Sequence, residues 1–351
     1  MRVAVVGAGI FGITIAVKLA RSEVRVDLFE KENDILKSAS GINQFRLHRG
    51  YHYPRSPDTV RECLESESSF RGEYGLAVID SGRHYYCIAR DDSLISGIEY
   101  ENFCRSHNLY FKRNKSHFIN QYPLDLCLEV NEGRIDPFRL KNLCISKIKL
   151  YGINVRLNTR ADSRNLRGYD FVVLATYSSV NELAGEMSGT ARKLQFEVCE
   201  KPVVRLPEVF GETSIVVMDG PFMCIDPMGC SNNYLLGNVK WAIHQANVGY
   251  IPEIGSEFTP LLNRDIVKNP PVTNFDKFIA SGCEFIPILH QAVHLGSMYT
   301  VRAVLPGIDS TDGRPTIVSK LNNQVISVFS GKIGTCVSAA QQVLDIIKPR
   351  S

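Results

Sequence analysis

Apolar positions along the chain alternate between strand-like and helix-like runs. Residues 3–6 form a short apolar run that ends in glycines, 10–20 are apolar over a helical length, and 24–29 return to a strand-like run closed by Glu30. Short apolar runs of this kind mark buried parallel strands. The spacing predicts a helix from about 57 to 74, strands over 78–89 and 110–119, and a helix over 95–107 between them. Asp136-Pro137 has the chemistry of a helix start, an acidic cap with proline at the first helical position. That helix is predicted to run to about 151 and to be followed by strands over 153–158 and 169–176. A β-rich stretch follows, with strands over 201–206, 214–218, 222–225 and 234–240. A strand over 324–328, a glycine turn over 330–335 and an alanine-rich helix close the chain.

This order describes an α/β protein in which a Rossmann-like domain is left and re-entered. The expected nucleotide domain comprises 1–75, 131–185 and 299–351. A discontinuous α+β substrate domain, 76–130 with 186–298, is expected to be built on a mainly antiparallel sheet. At 351 residues, two domains are the natural division.

The first βαβ unit carries the chemistry. Gly7-Ala8-Gly9-Ile10-Phe11-Gly12 follows the first strand, and Glu30 with Lys31 ends the second. Gly7 permits the tight turn, Gly9 lets the backbone approach a pyrophosphate, and Gly12 lets the helix pack closely on the sheet. The helix N-terminus offers free N–H groups to phosphates. Glu30 stands where a ribose hydroxyl would be bound.

Bulk properties narrow the class. A net charge of +3 calls for neither nucleic acid nor an anionic membrane, and no run reaches the ~18 apolar residues of a spanning helix. With the first strand starting at residue 2, no leader is expected and the protein reads as cytoplasmic, a monomer or homodimer. The 10 cysteines are scattered without metal spacing and read as reduced thiols, so no metal is expected.

Five segments, in order, resemble the FAD-dependent oxidoreductases of the D-amino-acid oxidase superfamily, which includes glycine and sarcosine oxidases and L-2-hydroxyglutarate dehydrogenases. They are the fingerprint ending in Glu30, the tract Ser40-Gly41-Ile42-Asn43 with His48-Arg49-Gly50-Tyr51, the helix opened by Asp136-Pro137, the strand Asp170 to Thr176, and Asp312-Gly313-Arg314-Pro315 with Ser330-Gly331-Lys332-Ile333-Gly334. The resemblance implies FAD contacts at Ser40, Asn43, Arg46, Leu47, Ala161, Ala175, Thr176, Gly331, Lys332, Ile333, Gly334 and Thr335. Ser297-Met298-Tyr299-Thr300 is similar to the run whose first residue, a cysteine in monomeric sarcosine oxidases, forms a thioether to the flavin. Serine there implies non-covalent FAD. Tyr177 stands where the family commonly has glycine, and the spacing from Arg302 to Asp312 is longer than in the amino-acid oxidases.

The expected activity is hydride transfer from a C–N bond of a small polar metabolite to flavin N5, with oxygen or another carrier as electron acceptor. Oxidation of a 2-hydroxy acid or other alcohol is the alternative, and an NAD(P)-dependent dehydrogenase or a flavin sensor a further one. His48 and His52 are the acid–base candidates because imidazole titrates near neutrality. Lys332, in a glycine turn opening a helix, suits the stabilisation of negative charge at flavin N1–C2=O. Arg49 and Arg302 offer a fork for a substrate carboxylate, with Tyr51, His52 and Phe222 as further substrate contacts and Met223 and Tyr234 as pocket wall. His244, His290 and His294 read as packing or surface residues, and the basic stretch Lys112–Lys115 with His117 as a solvated face.

Overall fold

The computed structural model describes residues 1–308 and 310–349. Its first layer is a six-stranded sheet, in spatial order Ile317–Lys320, Val325–Phe329, Phe171–Leu174, Arg2–Val6, Arg25–Phe29 and Asn154–Arg156. The five strands from Val325–Phe329 to Asn154–Arg156 run parallel, and Ile317–Lys320 joins as an antiparallel edge. Helix Ile10–Arg21 is buried over most of its length, as expected for a helix covering a parallel sheet. Gly7 has φ +100°, and a Cβ there would lie 2.6 Å from the Ala175 carbonyl oxygen. A Cβ on Gly12 would lie 1.8 Å from the Gly7 carbonyl oxygen. Both glycines are therefore required by backbone contact alone, before any ligand is considered.

The second layer is a nine-stranded, mainly antiparallel sheet. Ile243–Gly249, Leu194–Arg205, Asn233–Asn238, Met223–Pro227, Thr213–Met218, Arg83–Ala89, Leu124–Val130 and Phe111–Arg113 follow in spatial order, and Val293–Val304 pairs along Leu194–Arg205. Thr213–Met218 against Arg83–Ala89 is its parallel pair. This is the α/β architecture with a discontinuous substrate sheet that the patterning predicts.

Details differ from expectation. The strand expected over 110–119 is confined to Phe111–Arg113, because Asn114 turns its side chain onto Glu129 and the chain leaves the sheet edge. The strand expected over 78–89 is divided into Val78–Ile79 and Arg83–Ala89. Gly82 at φ +96° separates the two, packed where a Cβ would meet the Glu212 carbonyl oxygen at 2.3 Å. The boundary expected between 298 and 299 falls inside one continuous strand, since the pairing to Leu194–Arg205 runs without interruption there. The strand Ile243–Gly249 carried no alternating apolar signal because it lies at the sheet edge with few buried side chains.

A small three-stranded sheet, Arg46–Leu47, Gly133–Ile135 and Val78–Ile79, lies between the large layers. Arg46 and Arg134 are register partners on it, and both are buried. Arg46 donates from Nε and Nη2 to the two oxygens of buried Asp226, at 2.8 and 2.6 Å. Arg134 donates to Glu212 at 3.0 Å and to the Ser81 carbonyl at 3.1 Å. Two charged side chains thus reach from the small sheet into the large antiparallel one.

Removing one member of a buried pair strands the other charge, at a cost of about 3–5 kcal/mol, whereas replacing both with apolar side chains is close to neutral. Urea unfolding should therefore show Arg46→Met destabilised by about that amount and Arg46→Met/Asp226→Leu substantially restored. Equal destabilisation of the single and double variants would show that the pair's charge is not what fixes the layers.

Candidate active site

A cavity of about 670 Å³ lies between the two layers, within the range of small-molecule and cofactor sites. The nucleotide fold supplies Gly7, Gly9, Ile10, Phe11, Glu30, Lys31, Ala161, Ala175 and Thr176 to its lining. The Gly7 N–H donates to the Phe29 carbonyl and the Ala175 N–H to the Val6 carbonyl, so the turn is pinned to the strands on both sides. Gly9 precedes the first helical turn; the Ile10 N–H donates to the Ser40 hydroxyl at 3.0 Å, and the N–H groups that follow it in the first turn have no carbonyl partner within the helix. Glu30 accepts from the Ala8 N–H at 2.7 Å and the Glu32 N–H at 3.0 Å, which aims its carboxylate while leaving lone pairs free.

The lining also includes Ser40, Asn43, Arg46, His48, His52, Gly331, Lys332 and Ile333. Asn43 folds its own loop, donating to the Ala39 and Ser40 carbonyls and accepting from the Phe45 N–H. A Cβ on Gly331 would lie 1.9 Å from the Arg314 carbonyl oxygen, so only glycine allows those two segments to meet at the wall. Tyr177 adopts φ +51°, the left-handed conformation that glycine takes without strain.

His48 Nδ1 stands 3.5 Å from Glu132 Oε1. Glu132 is buried, accepts from the Tyr86 hydroxyl at 2.7 Å and the Arg49 N–H at 3.0 Å, and has its pKa brought down to about 2. Desolvation opposes that shift; the neighbouring His48 and Arg46 overcome it. Loss of water pushes His48 and, further, His52 below the usual imidazole pKa. The two rings lie 5.8 Å apart with Tyr53 beside both, and Nδ1 of each is a buried atom without a hydrogen bond. Lys332 Nζ sits 4.1 Å from the centre of the Tyr53 ring. Desolvation, with Arg46 nearby, brings its pKa down to about 7.

Several expected contacts fall elsewhere. Arg49 turns away from the cavity: its Nε is 2.8 Å from Glu67 and its Nη1 reaches the Asn131 carbonyl. Tyr51 is fully buried, with its hydroxyl on the Tyr110 carbonyl. Ala8, Gly12, Leu47, Gly334 and Thr335 form the packing behind the lining, and the Thr335 hydroxyl is taken by the Lys332 carbonyl. Arg302 and Phe222 do line the cavity, but Arg302 is held by Glu197. Ser297 faces the opposite side of its strand, hydrogen-bonded to Glu200 at 2.6 Å and His294 at 3.0 Å. Sequence reading missed Glu132, Asp226, Glu197, Gln44 and Lys201. For Asp226, Glu197 and Lys201 the available signal was a charged residue inside an apolar strand, which must find a partner when buried; Gln44 and Glu132, outside the strands, carried none.

The family model for FAD-dependent oxidoreductases, DAO, matches residues 2–211. The chain belongs to the DAO family of FAD-dependent oxidoreductases. It is 26% identical to the FAD-dependent monooxygenase kojA of Aspergillus flavus, over 99% of this chain and 86% of that one. Glycine oxidase from Geobacillus kaustophilus shares the fold over all of this chain and 95% of its own, with a TM-score of 0.72 at 16% identity. L-α-glycerophosphate oxidase from Mycoplasma pneumoniae, with FAD bound, does so over 99% and 95%, at 0.74 and 14%.

The protein is therefore an FAD enzyme acting on a small molecule, and nicotinamide-dependent or non-catalytic readings are set aside. The lining fits the cofactor: the glycine turn suits its pyrophosphate, Glu30 its ribose, and the buried, unpartnered Thr176 hydroxyl offers a further polar contact. Among the described residues no helix is long and apolar enough to cross a membrane.

Between pH 7 and 10.5 the folded protein binds fewer protons at Lys332 than the unfolded chain does. That residue therefore makes stability rise with pH across this window. In the flavin-free protein, Lys332→Met should remove the rise, so that the stability difference between variant and wild type, read from urea midpoints, narrows as pH increases from 7 to 10. A difference independent of pH would show that the amine keeps its ordinary pKa.

Proposed function

We propose that this enzyme oxidises a C–N bond of a small polar metabolite, using FAD held without a covalent link. The observation that carries the reading is the convergence of one amine and two imidazoles on the cavity wall. Lys332, His48 and His52 converge on one stretch of lining, and desolvation biases all three toward their neutral forms. FAD, when bound, supplies the hydride acceptor. What the protein must add is a place for the proton that an ammonium sheds before its carbon can give up hydride. Lys332, poised near pH 7, can take that proton, and the neutral imidazoles can accept a hydrogen bond from the amine. Glycine oxidase, named for an amine substrate, supports this reading through the shared fold.

Oxidation of an alcohol is the second reading, favoured by His48 with Glu132 behind it. A carboxylate beside an imidazole orients the ring and stabilises its protonated form, which serves removal of a hydroxyl proton. L-α-glycerophosphate oxidase, named for an alcohol substrate, shares the fold equally well.

Non-covalent attachment is supported by Ser297 lying behind its strand. The thiols that do line the cavity, Cys199 and Cys224, are pushed up in pKa by burial, which disfavours the nucleophilic thiolate.

Anaerobic titration of the purified yellow protein with amines and with 2-hydroxy acids tests the proposal. Amines should bleach the flavin's visible band, and the rate should rise with pH through a limb near 7 that Lys332→Met abolishes. Bleaching by hydroxy acids alone would transfer the assignment to the alcohol reading. Colour that stays with acid-precipitated protein would overturn the non-covalent attachment.

A further inference from the structure

Four arginines on the cavity wall already have carboxylate partners: Arg46 with Asp226, Arg160 with Glu182, Arg302 with Glu197, and Arg314 with Asp312. The arginine fork that commonly grips a substrate carboxylate is therefore spent within the protein. Among the described residues three amines on the same wall have no carboxylate within ion-pairing distance: exposed Lys31 at the nucleotide turn, and the more enclosed Lys332 and Lys201. The last two reach the cavity from opposite sides. Lys332 rises from the nucleotide fold onto Tyr53. Lys201 stands on the Leu194–Arg205 strand of the antiparallel sheet, and the charged groups that face it, Cys199, Cys224, Arg302 and Asp226, all belong to that sheet.

The placement follows from the pleat. Cys199 and Lys201 share one face of their strand, and both line the cavity. Thr300 and Arg302 do the same on the neighbouring strand, where Cys199 pairs with Thr300 and Glu197 with Arg302. Beside Lys201, the Gln44 side chain leans on Cys224, with Nε2 at 3.1 Å from Sγ and Oε1 buried without a partner. Gly237 makes room for it: a Cβ there would lie 2.1 Å from Gln44 Nε2. An unpaired cation and an unpaired acceptor thus meet around Cys224.

We propose that Lys201 is the anion-binding residue of the substrate site, taking a substrate carboxylate while the Gln44 amide oxygen accepts from the adjacent N–H or O–H. The substrate class is accordingly a 2-amino or 2-hydroxy acid. This rests on the functional reading above. The ammonium is a compact point charge rather than a planar fork, so it suits one singly charged group; phosphate would leave oxygens without donors.

The test is titration of acetate into the oxidised holoenzyme, followed by the change in flavin absorption. Lys201→Met should weaken acetate binding by about tenfold or more, as expected for loss of a charge-assisted hydrogen bond, and Lys201→Arg should keep it within about threefold. Wild-type binding should weaken at alkaline pH, where Lys201 loses its proton, more than in Lys201→Arg, where the charge persists. Lys332 is common to both proteins and cancels in that comparison, which also decides the matter if Lys201→Met does not fold. An acetate affinity indifferent to Lys201→Met, or the same pH profile in wild type and Lys201→Arg, would overturn the assignment. So would inorganic phosphate binding more tightly than acetate. Amine-driven bleaching with acetate binding independent of Lys201 would remove the anion site alone; Lys201-dependent acetate binding without any bleaching by amines would remove the C–N reading alone.

Discussion

The contact on which the rest of the structure depends is the pair of buried arginines on the small middle sheet. Arg46 and Arg134 stand opposite each other in register, where like charges would repel if nothing answered them. Asp226 on the antiparallel sheet answers Arg46, and Glu212, in the turn that leads into the sheet strand Thr213–Met218, answers Arg134. Because buried charge without a partner is costly, the two large layers can approach only in the arrangement that satisfies both. The cavity is the space left between layers fixed in this way. His48 lies two residues beyond Arg46 and Glu132 two before Arg134, so the same bolts set the spacing of the imidazole and its carboxylate.

That arrangement also explains how one cavity serves opposite electrostatic needs. The end that receives a pyrophosphate relies on backbone N–H groups and a helix terminus, fixed dipoles that need no counter-charge. Farther in, cations are abundant but tied: each wall arginine carries its own carboxylate. His52 and Lys332 are pushed by desolvation toward neutrality. Here the bases stay available.

How much of this could be read from the sequence depends on range. The βαβ unit was legible because its parts are local: Gly7, Gly9 and Gly12 act within one turn, and Glu30 closes the next strand. The return strands at Phe171–Leu174 and Val325–Phe329 were legible because parallel strands buried on both faces are apolar throughout. The cap at Asp136 behaves as read, accepting from the Phe138 and Arg139 N–H groups. Partnerships across long separations were not legible. Arg46 and Asp226 are 180 residues apart, and nothing local distinguishes Arg46, which is bolted, from Arg49, which turns outward to Glu67. Glu132 read as part of a helix start because the chain around it does start a helix; its role toward His48 exists only once the middle sheet has formed. Lys201 read as one end of a strand because a period of two places it on a face without saying what that face meets.

On the proposed reading, Lys332 and Lys201 divide the work by their surroundings. Lys332 lies against an aromatic ring with Arg46 behind it, a setting that makes its proton easy to lose near neutrality. Lys201 has Asp226 among the groups that face it, which partly offsets the desolvation and the Arg302 charge that lower its pKa. Direct engagement of a carboxylate would raise that pKa further, because an opposite charge at contact favours the ionised form. Binding an amino acid by its carboxylate therefore protonates one amine firmly and leaves the other free to accept. The order of events is then set by the protein: the anion is gripped from the sheet side, the ammonium is turned toward groups that cannot stabilise it, and the proton leaves for the base whose own surroundings least oppose it.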